Sequence, residues 1–181
     1  MRILLVSGST RAASTNTAAL RTVPVVAPPE VEAVLFDGLA QLPAFNPDHD
    51  HDDLPASVRD LRAALDAADA VLFSTPEYAG ALPGAFKNLL DWTVGAVPGL
   101  DGKLAGWVNV AAEGRGQGAH AELATVLGYV GAAPVPAACV RFAVGHGTVG
   151  LDGTVADPAF RTVLTELLAA LATAGRAPGS A

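Results

Sequence analysis

The segment from Ile3 to Leu20 constrains the fold more than any other part of the chain. The apolar run Ile3-Leu4-Leu5-Val6 leads within two residues to the loop Ser9-Thr10-Arg11-Ala12-Ala13, and Ser14-Thr15-Asn16-Thr17-Ala18-Ala19-Leu20 opens a helix. A buried strand, a short polar loop and a helical start form the first unit of an α/β domain. Such a loop ends at a helix N-terminus, where free backbone N–H groups and the helix dipole favour an anion. The hydroxyls of Ser9, Ser14 and Thr15, the Asn16 amide and the Arg11 guanidinium gather there, a dense donor set for one phosphate. Arginine suits phosphate because its planar fork donates two parallel hydrogen bonds. In an ordinary βα turn Ser14 or Thr15 would be only the helix N-cap; such a turn has no need of Arg11. The loop lacks the Gly-x-Gly-x-x-Gly of a dinucleotide fold, and no Gly-x-x-x-x-Gly-Lys-Ser/Thr occurs in the chain. It also holds no cysteine, which excludes a thiolate phosphatase loop.

Further along, short apolar runs alternate with helical segments. Strands are expected at 2–7, 31–36, 70–74, 103–111 and 136–142, and helices at 15–23, 55–68, 83–94, 118–130 and 158–174, with Asp157 as N-cap of the last. Pro24 is expected to end the first helix and Pro83 to occupy the first turn of the third. This alternation implies a three-layer sandwich, a five-stranded parallel sheet of flavodoxin-like order 2-1-3-4-5 between helices. Ligands of such sheets bind at the carboxyl ends of the strands, so the loops after strands one, three and four should converge. Residues 1–175 read as one domain and 176–181 as a flexible tail, with fraying from Gly175 onward.

Composition narrows the function. The chain of 181 residues is 51% hydrophobic and carries a net charge of −7, which disfavours nucleic acid and anionic membranes as partners. No run is long enough for a membrane span or a secretory signal, so the cytoplasm is the expected location. Cys139 is the only cysteine, and its apolar neighbours mark it as a core thiol. The stretch Asp48-His49-Asp50-His51-Asp52-Asp53 matches no zinc or calcium spacing and reads as a solvated acidic loop. His120 reads as a surface residue of its helix, and no role is assigned to His146.

A second motif follows the third strand. It holds Pro76, Glu77, Tyr78, Pro83, Gly84, Lys87, Asn88, Asp91 and Trp92. With Gly8, Ser9, Arg11, Ser14 and Asn16 of the first loop, it resembles the NAD(P)H-dependent FMN reductases of the flavodoxin-like fold, a family that includes quinone, azo-dye and chromate reductases. The resemblance covers nearly the whole chain. It implies non-covalent FMN, NADPH or NADH as electron donor, a small-molecule acceptor, and a homodimer or homotetramer. It also implies cofactor contacts from Ser9, Arg11, Ser14, Thr15 and Asn16 at the phosphate, from Pro76, Glu77, Tyr78 and Ala79 along the ring, and from Gly114 and Gly116 at the ring edge. A flavodoxin-type electron carrier and a flavin-free scaffold are the competing readings.

Two departures from the family stand out. Ala79 replaces the usual asparagine, and Ala111-Ala112 replace serines before Gly114, Gly116 and Gly118. These glycines are expected to let the backbone approach the ring edge. Glu113 and Arg115 add charges at the rim; Arg115 reads as an exposed rim residue or as a contact for a nicotinamide-cofactor phosphate. Lys87, Asn88 and Asp91 are expected to cap, pair or meet a second subunit. Phe86, Leu89, Leu90, Val94 and Val97 form one apolar stripe, and Trp92 projects well away from it, which suggests a subunit interface. The competing place for Trp92 is beneath the 97–102 loop.

Overall fold

The computed structural model describes residues 1–51, 53–94 and 99–176. Five strands, β1 (Arg2–Ser7), β2 (Glu32–Phe36), β3 (Ala70–Ser74), β4 (Leu104–Asn109) and β5 (Ala133–Arg141), form one parallel sheet in the order β2-β1-β3-β4-β5. Five α-helices cover its faces: α1 (Thr15–Val26), α2 (Ala56–Asp66), α3 (Gly84–Asp91), α4 (Gln117–Tyr129) and α5 (Pro158–Arg176). The strand period of two sorts the central strands onto both faces. Leu4, Val6, Val71 and Phe73 face Leu61, Leu65, Phe86, Leu90 and Leu127, whereas Ile3, Leu5, Ala70 and Leu72 face Leu20, Val23, Leu164 and Leu168. Every residue of β3 is buried, which is why its five residues read as an unbroken apolar run ending in Ser74.

Several boundaries differ from the sequence expectation by a few residues, most clearly in α1, α3 and β5. Helix α1 runs through Pro24 to Val26. A proline that late in a helix removes one hydrogen bond near an end that is already fraying, and packing of Leu20 and Val23 outweighs the loss. Helix α3 begins at Gly84, with Pro83 at the N-cap, and stops at Asp91, short of Val94. Strand β5 starts at Ala133 in spite of Pro134 and Pro136, because an edge strand tolerates missing N–H donors. Its register against β4 breaks between Ala105 and Trp107, and a Cβ on Gly106 would press on the Ala138 carbonyl at 2.8 Å. The expected cap of α5 is present: the Asp157 carboxylate accepts from the N–H of Ala159 at 2.8 Å and of Phe160 at 3.3 Å. Gly175 remains inside α5, so fraying does not begin there; residues 177–181 lie outside the described residues.

The 38–54 connection, expected to be a plain loop, contains two short 3-10 turns and is pinned to the sheet's α3 face. Trp92 is fully buried under it. Its indole N–H donates to the Pro43 carbonyl at 2.9 Å, and its ring meets Phe45 edge-on at 5.0 Å. The interface argument for Trp92 therefore fails, and its cover is the 43–45 segment; Val97 and Pro98 of the other candidate cover lie outside the described residues. Asn88 fastens the same segment, accepting from Phe45 N–H at 2.7 Å and donating to the Pro43 carbonyl at 2.9 Å. Lys87 pairs with Asp91 at 2.6 Å on the outer side. The acidic loop is not wholly solvated: the Asp50 side chain is 8% exposed and pairs at 2.8 Å with Arg62, which also donates from Nε and Nη2 to the Trp92 carbonyl.

Candidate active site

The loops after β1, β3 and β4 meet at the carboxyl edge of the sheet, joined by the loop after β5. They enclose a cavity of ≈ 380 Å³ lined by Thr15, Asn16, Thr75, Pro76, Glu77, Val110, Ala111, Ala112, Arg115, Gly116, Val144 and Gly145. That volume suits a small ligand or cofactor.

Loop 1 is held together by its own side chains. Ser7 Oγ lies 2.8 Å from Thr17 Oγ1, and the N–H groups of Ser9 and Arg11 donate to Ser7 and Ser9 hydroxyls at 3.3 Å. Gly8 donates its N–H to the Ser74 carbonyl at 2.8 Å, and a Cβ there would overlap Thr75. Ser14, and not Thr15, is the N-cap of α1, with its hydroxyl 3.4 Å from the Thr17 nitrogen. Helix geometry leaves the N–H groups of Thr15 and Asn16 without intrahelical acceptors, and both residues line the cavity. Asn16 is buried, its Oδ1 set 3.0 Å from Ser74 Oγ. Arg11 and Ser14 line a neighbouring cavity of ≈ 340 Å³ together with Arg21 and Gly150. The Arg11 guanidinium donates to the Ala13 carbonyl at 2.9 Å, and Ser9 lies on the outer side of the loop.

Loop 2 is a tight hairpin. Tyr78 and Ala81 exchange backbone hydrogen bonds of 3.1 and 3.0 Å around Ala79 and Gly80, both at positive φ, 52° and 78°. Ala79 is the only described non-glycine residue in that region, which asparagine tolerates better than alanine. The asparagine typical of the resembling family thus suits this backbone. Tyr78 is 56% exposed and, like Ala79, stands outside the cavity lining.

Loop 2 is clasped to α4. Glu77 accepts from the Ala119 N–H at 3.0 Å in the first turn of α4, and Glu122 accepts from the Leu82 N–H at 2.5 Å. A Cβ on Gly118 would overlap the Gly80 carbonyl. Gly118 is small because loop 2 crosses it, which corrects the expectation that it clears the ring edge. Gly116, at φ 76°, packs on Asn109, which donates to the Gly116 carbonyl at 2.7 Å and accepts from Ala111 N–H at 3.0 Å. Gly114 also has φ 76°, with open space where its Cβ would be. Asn109 organises loop 3 and was missed by the sequence reading; its one signal was a polar residue closing an otherwise apolar strand.

His120 is half-buried, a correction to its surface assignment. Its Nδ1 accepts from the Trp107 indole N–H at 2.8 Å, with the rings edge-on at 5.3 Å. Burial, and secondarily the Arg141 charge, hold its pKa below the ordinary imidazole value. The folded state therefore binds fewer protons than the unfolded chain as pH drops through about 6.5. Stability from this group is present above that value and is lost as pH falls toward the depressed pKa. Urea unfolding of wild type and His120→Gln between pH 7.5 and 5 checks this. The wild type should lose more stability on acidification, within the about 0.5–1.5 kcal/mol of one such hydrogen bond. Cys139 is half-buried, and burial pushes its thiol up to about 11; it is no nucleophile. Among the described residues no group of three or more His, Cys, Asp or Glu side chains is placed to hold a metal, and no helix is long and apolar enough to cross a membrane.

A parallel sheet of order β2-β1-β3-β4-β5, with a cavity at its carboxyl edge beside the N-terminus of α1, defines a flavodoxin-like domain. Comparison with known proteins narrows the class. The chain belongs to the NADPH-dependent FMN reductase family, whose sequence model matches residues 1–147. An NADPH azoreductase of a Bacillus species is 34% identical over 146 residues, covering 77% of this chain and 78% of the relative. An NAD(P)H-dependent FMN reductase of Pseudomonas aeruginosa is 38% identical over 92 residues, and the chain spans about half of its length, 49%. The solved flavoenzyme NAD(P)H:(acceptor) oxidoreductase of Paracoccus denitrificans superposes with a TM-score of 0.79 at 28% identity, covering 95% of each chain.

Proposed function

We propose that this chain is an NAD(P)H-dependent flavin oxidoreductase that holds FMN in the carboxyl-edge cavity. It passes electrons to a small acceptor such as a quinone, an azo compound, free flavin or a metal oxyanion. The observation that carries the reading is the meeting of two unsatisfied helix N–H groups with a cavity walled by small residues. FMN, when bound, supplies the hydride chemistry at its N5. Thr15 and Asn16 then hold the phosphate by their N–H groups, and Ser14 and Arg11 reach it from the neighbouring cavity that Thr15 also lines, whereas Ser9 braces the loop through the Arg11 N–H. Ala111, Ala112 and Gly116 leave room for a flat ring and exclude water from it. Pro76 and Glu77 fix the facing wall, and Tyr78, Ala79 and Gly114 stand at the rim. Glu77 is engaged by α4, so the described lining offers no free carboxylate as an acid or base.

The test is a flavin titration. FMN should bind far more tightly than riboflavin, and Arg11→Ala should weaken FMN by about 1.5–3 kcal/mol, the range for a hydrogen bond to a charged group. FMN-loaded protein should oxidise NADPH in the presence of a quinone. Equal affinity for FMN and riboflavin would remove the phosphate assignment; FMN binding without NADPH oxidation would favour an electron carrier. Residues 1–175 are proposed to act as one domain in the cytoplasm, as a homodimer or homotetramer. The resemblance supports that assembly, without help from Trp92.

A further inference from the structure

Arg115 stands out in the cavity. It is the only cationic residue in the lining, and among the described residues its guanidinium has no hydrogen-bond or ion-pair partner. Its backbone is fixed on every side. Gly114 and Gly116 flank it, both at φ 76°; its N–H donates to the Ala112 carbonyl at 3.0 Å, and its own carbonyl accepts from Arg141 Nη2 at 2.7 Å. Asn109 holds the next carbonyl. The loop thus sets an exposed arginine into the cavity lining, in a chain of net charge −7. Arg141 brings a second positive charge close by, and His120, which that charge also reaches, is held toward its neutral form. The other charged group of the lining, Glu77, is engaged by the Ala119 N–H. Glu113, two residues earlier, is exposed and outside the lining.

Loop 3 rises from β4 and loop 1 from β1, which stand two strand spacings apart, about 9–10 Å. Arg115 therefore enters the cavity from a different element than the N–H groups of α1, which leaves it available to a second anion. We propose that Arg115 receives the 2′-phosphate of the nicotinamide nucleotide and makes the site select NADPH over NADH. The assignment rests on the proposed oxidoreductase reading. An acidic side chain at such a position takes the ribose 2′-hydroxyl, whereas a guanidinium takes the 2′-phosphate, and arginine does so through its bidentate fork.

Two measurements test it. In calorimetric titrations of the apoprotein, 2′,5′-ADP should bind at least about 10-fold more tightly than 5′-AMP, and Arg115→Ala should abolish that difference. In FMN-loaded enzyme, Arg115→Ala should raise KM for NADPH about 10- to 100-fold more than it raises KM for NADH, and Arg115→Lys should fall between. Equal loss with NADPH and NADH, or no loss with either, would each overturn the proposal. Failure of the oxidoreductase reading shows separately, as wild-type protein that takes up no FMN, and the titration with 2′,5′-ADP still decides the role of Arg115. A thermal melt of the exposed Arg115 variants confirms that both are folded.

Discussion

Replacing Asp50 with alanine should lower the unfolding free energy by about 3–5 kcal/mol, the effect of stranding one member of a buried ion pair. The Asp50 and Arg62 side chains are 8% and 10% exposed, and their atoms approach to 2.8 Å. Without Asp50 the guanidinium stays in a low-dielectric pocket where, among the described residues, only the Trp92 carbonyl receives it. Arg62→Ala should also destabilise the fold, since it removes the cation that faces both the carboxylate and that carbonyl. The double variant should lose clearly less than the sum of the two, because contacting residues are non-additive. Urea unfolding of the three variants and of Asp48→Ala, an exposed acidic residue on the same loop, gives the comparison; Asp48→Ala should stay within about 0.5 kcal/mol of wild type. A loss under 1 kcal/mol for Asp50→Ala would mean that the pair is open to water.

This pair shows where the sequence stops being informative. Asp50 stands among acidic and histidine neighbours of similar character, and nothing local distinguishes the carboxylate that will be buried. Its partner lies on the next helix, and the pairing depends on the path of the 38–54 connection. The sheet is different. The unbroken apolar runs of β1 and β3 are local consequences of covering both faces, so the strands, and from their alternation with helices the convergence of the loops, could be read from pattern. Loop 1 was legible for the same reason, because its donors follow one another along the chain. Loops 2 and 3 were legible only as motifs. The clasp of Glu77 on Ala119, the crossing of Gly118 by Gly80 and the brace from Arg141 to Arg115 join different loops and elements, and no spacing rule reports them. Tyr78 is the reverse case. Its place in the motif says nothing of its exposure, which the hairpin at Ala79-Gly80 sets.

Trp92 carries the other large effect. The helical angle between Leu90 and Trp92, about 200°, sets the indole apart from the stripe of α3, yet Trp92 joins the same buried cluster as Phe86, Leu89 and Leu90. What the angle could not supply was the cover. The 43–45 segment crosses that side of the helix, and Asn88 and Trp92 both donate to the Pro43 carbonyl. Trp92→Ala should therefore destabilise the protein by about 3–5 kcal/mol through lost burial and the cavity left beneath Phe45. Trp92→Phe keeps much of the ring but loses the indole N–H bond, and should cost about 1–2 kcal/mol. Neither substitution should change the particle mass seen by light scattering at a concentration where the protein remains folded, whatever assembly the wild type forms. A variant that kept its stability while its mass fell by half would return Trp92 to a subunit interface. The opposite pattern, lost stability at constant mass, would confine the indole to fastening the 38–54 connection against α3, and any subunit contact would have to use other surfaces.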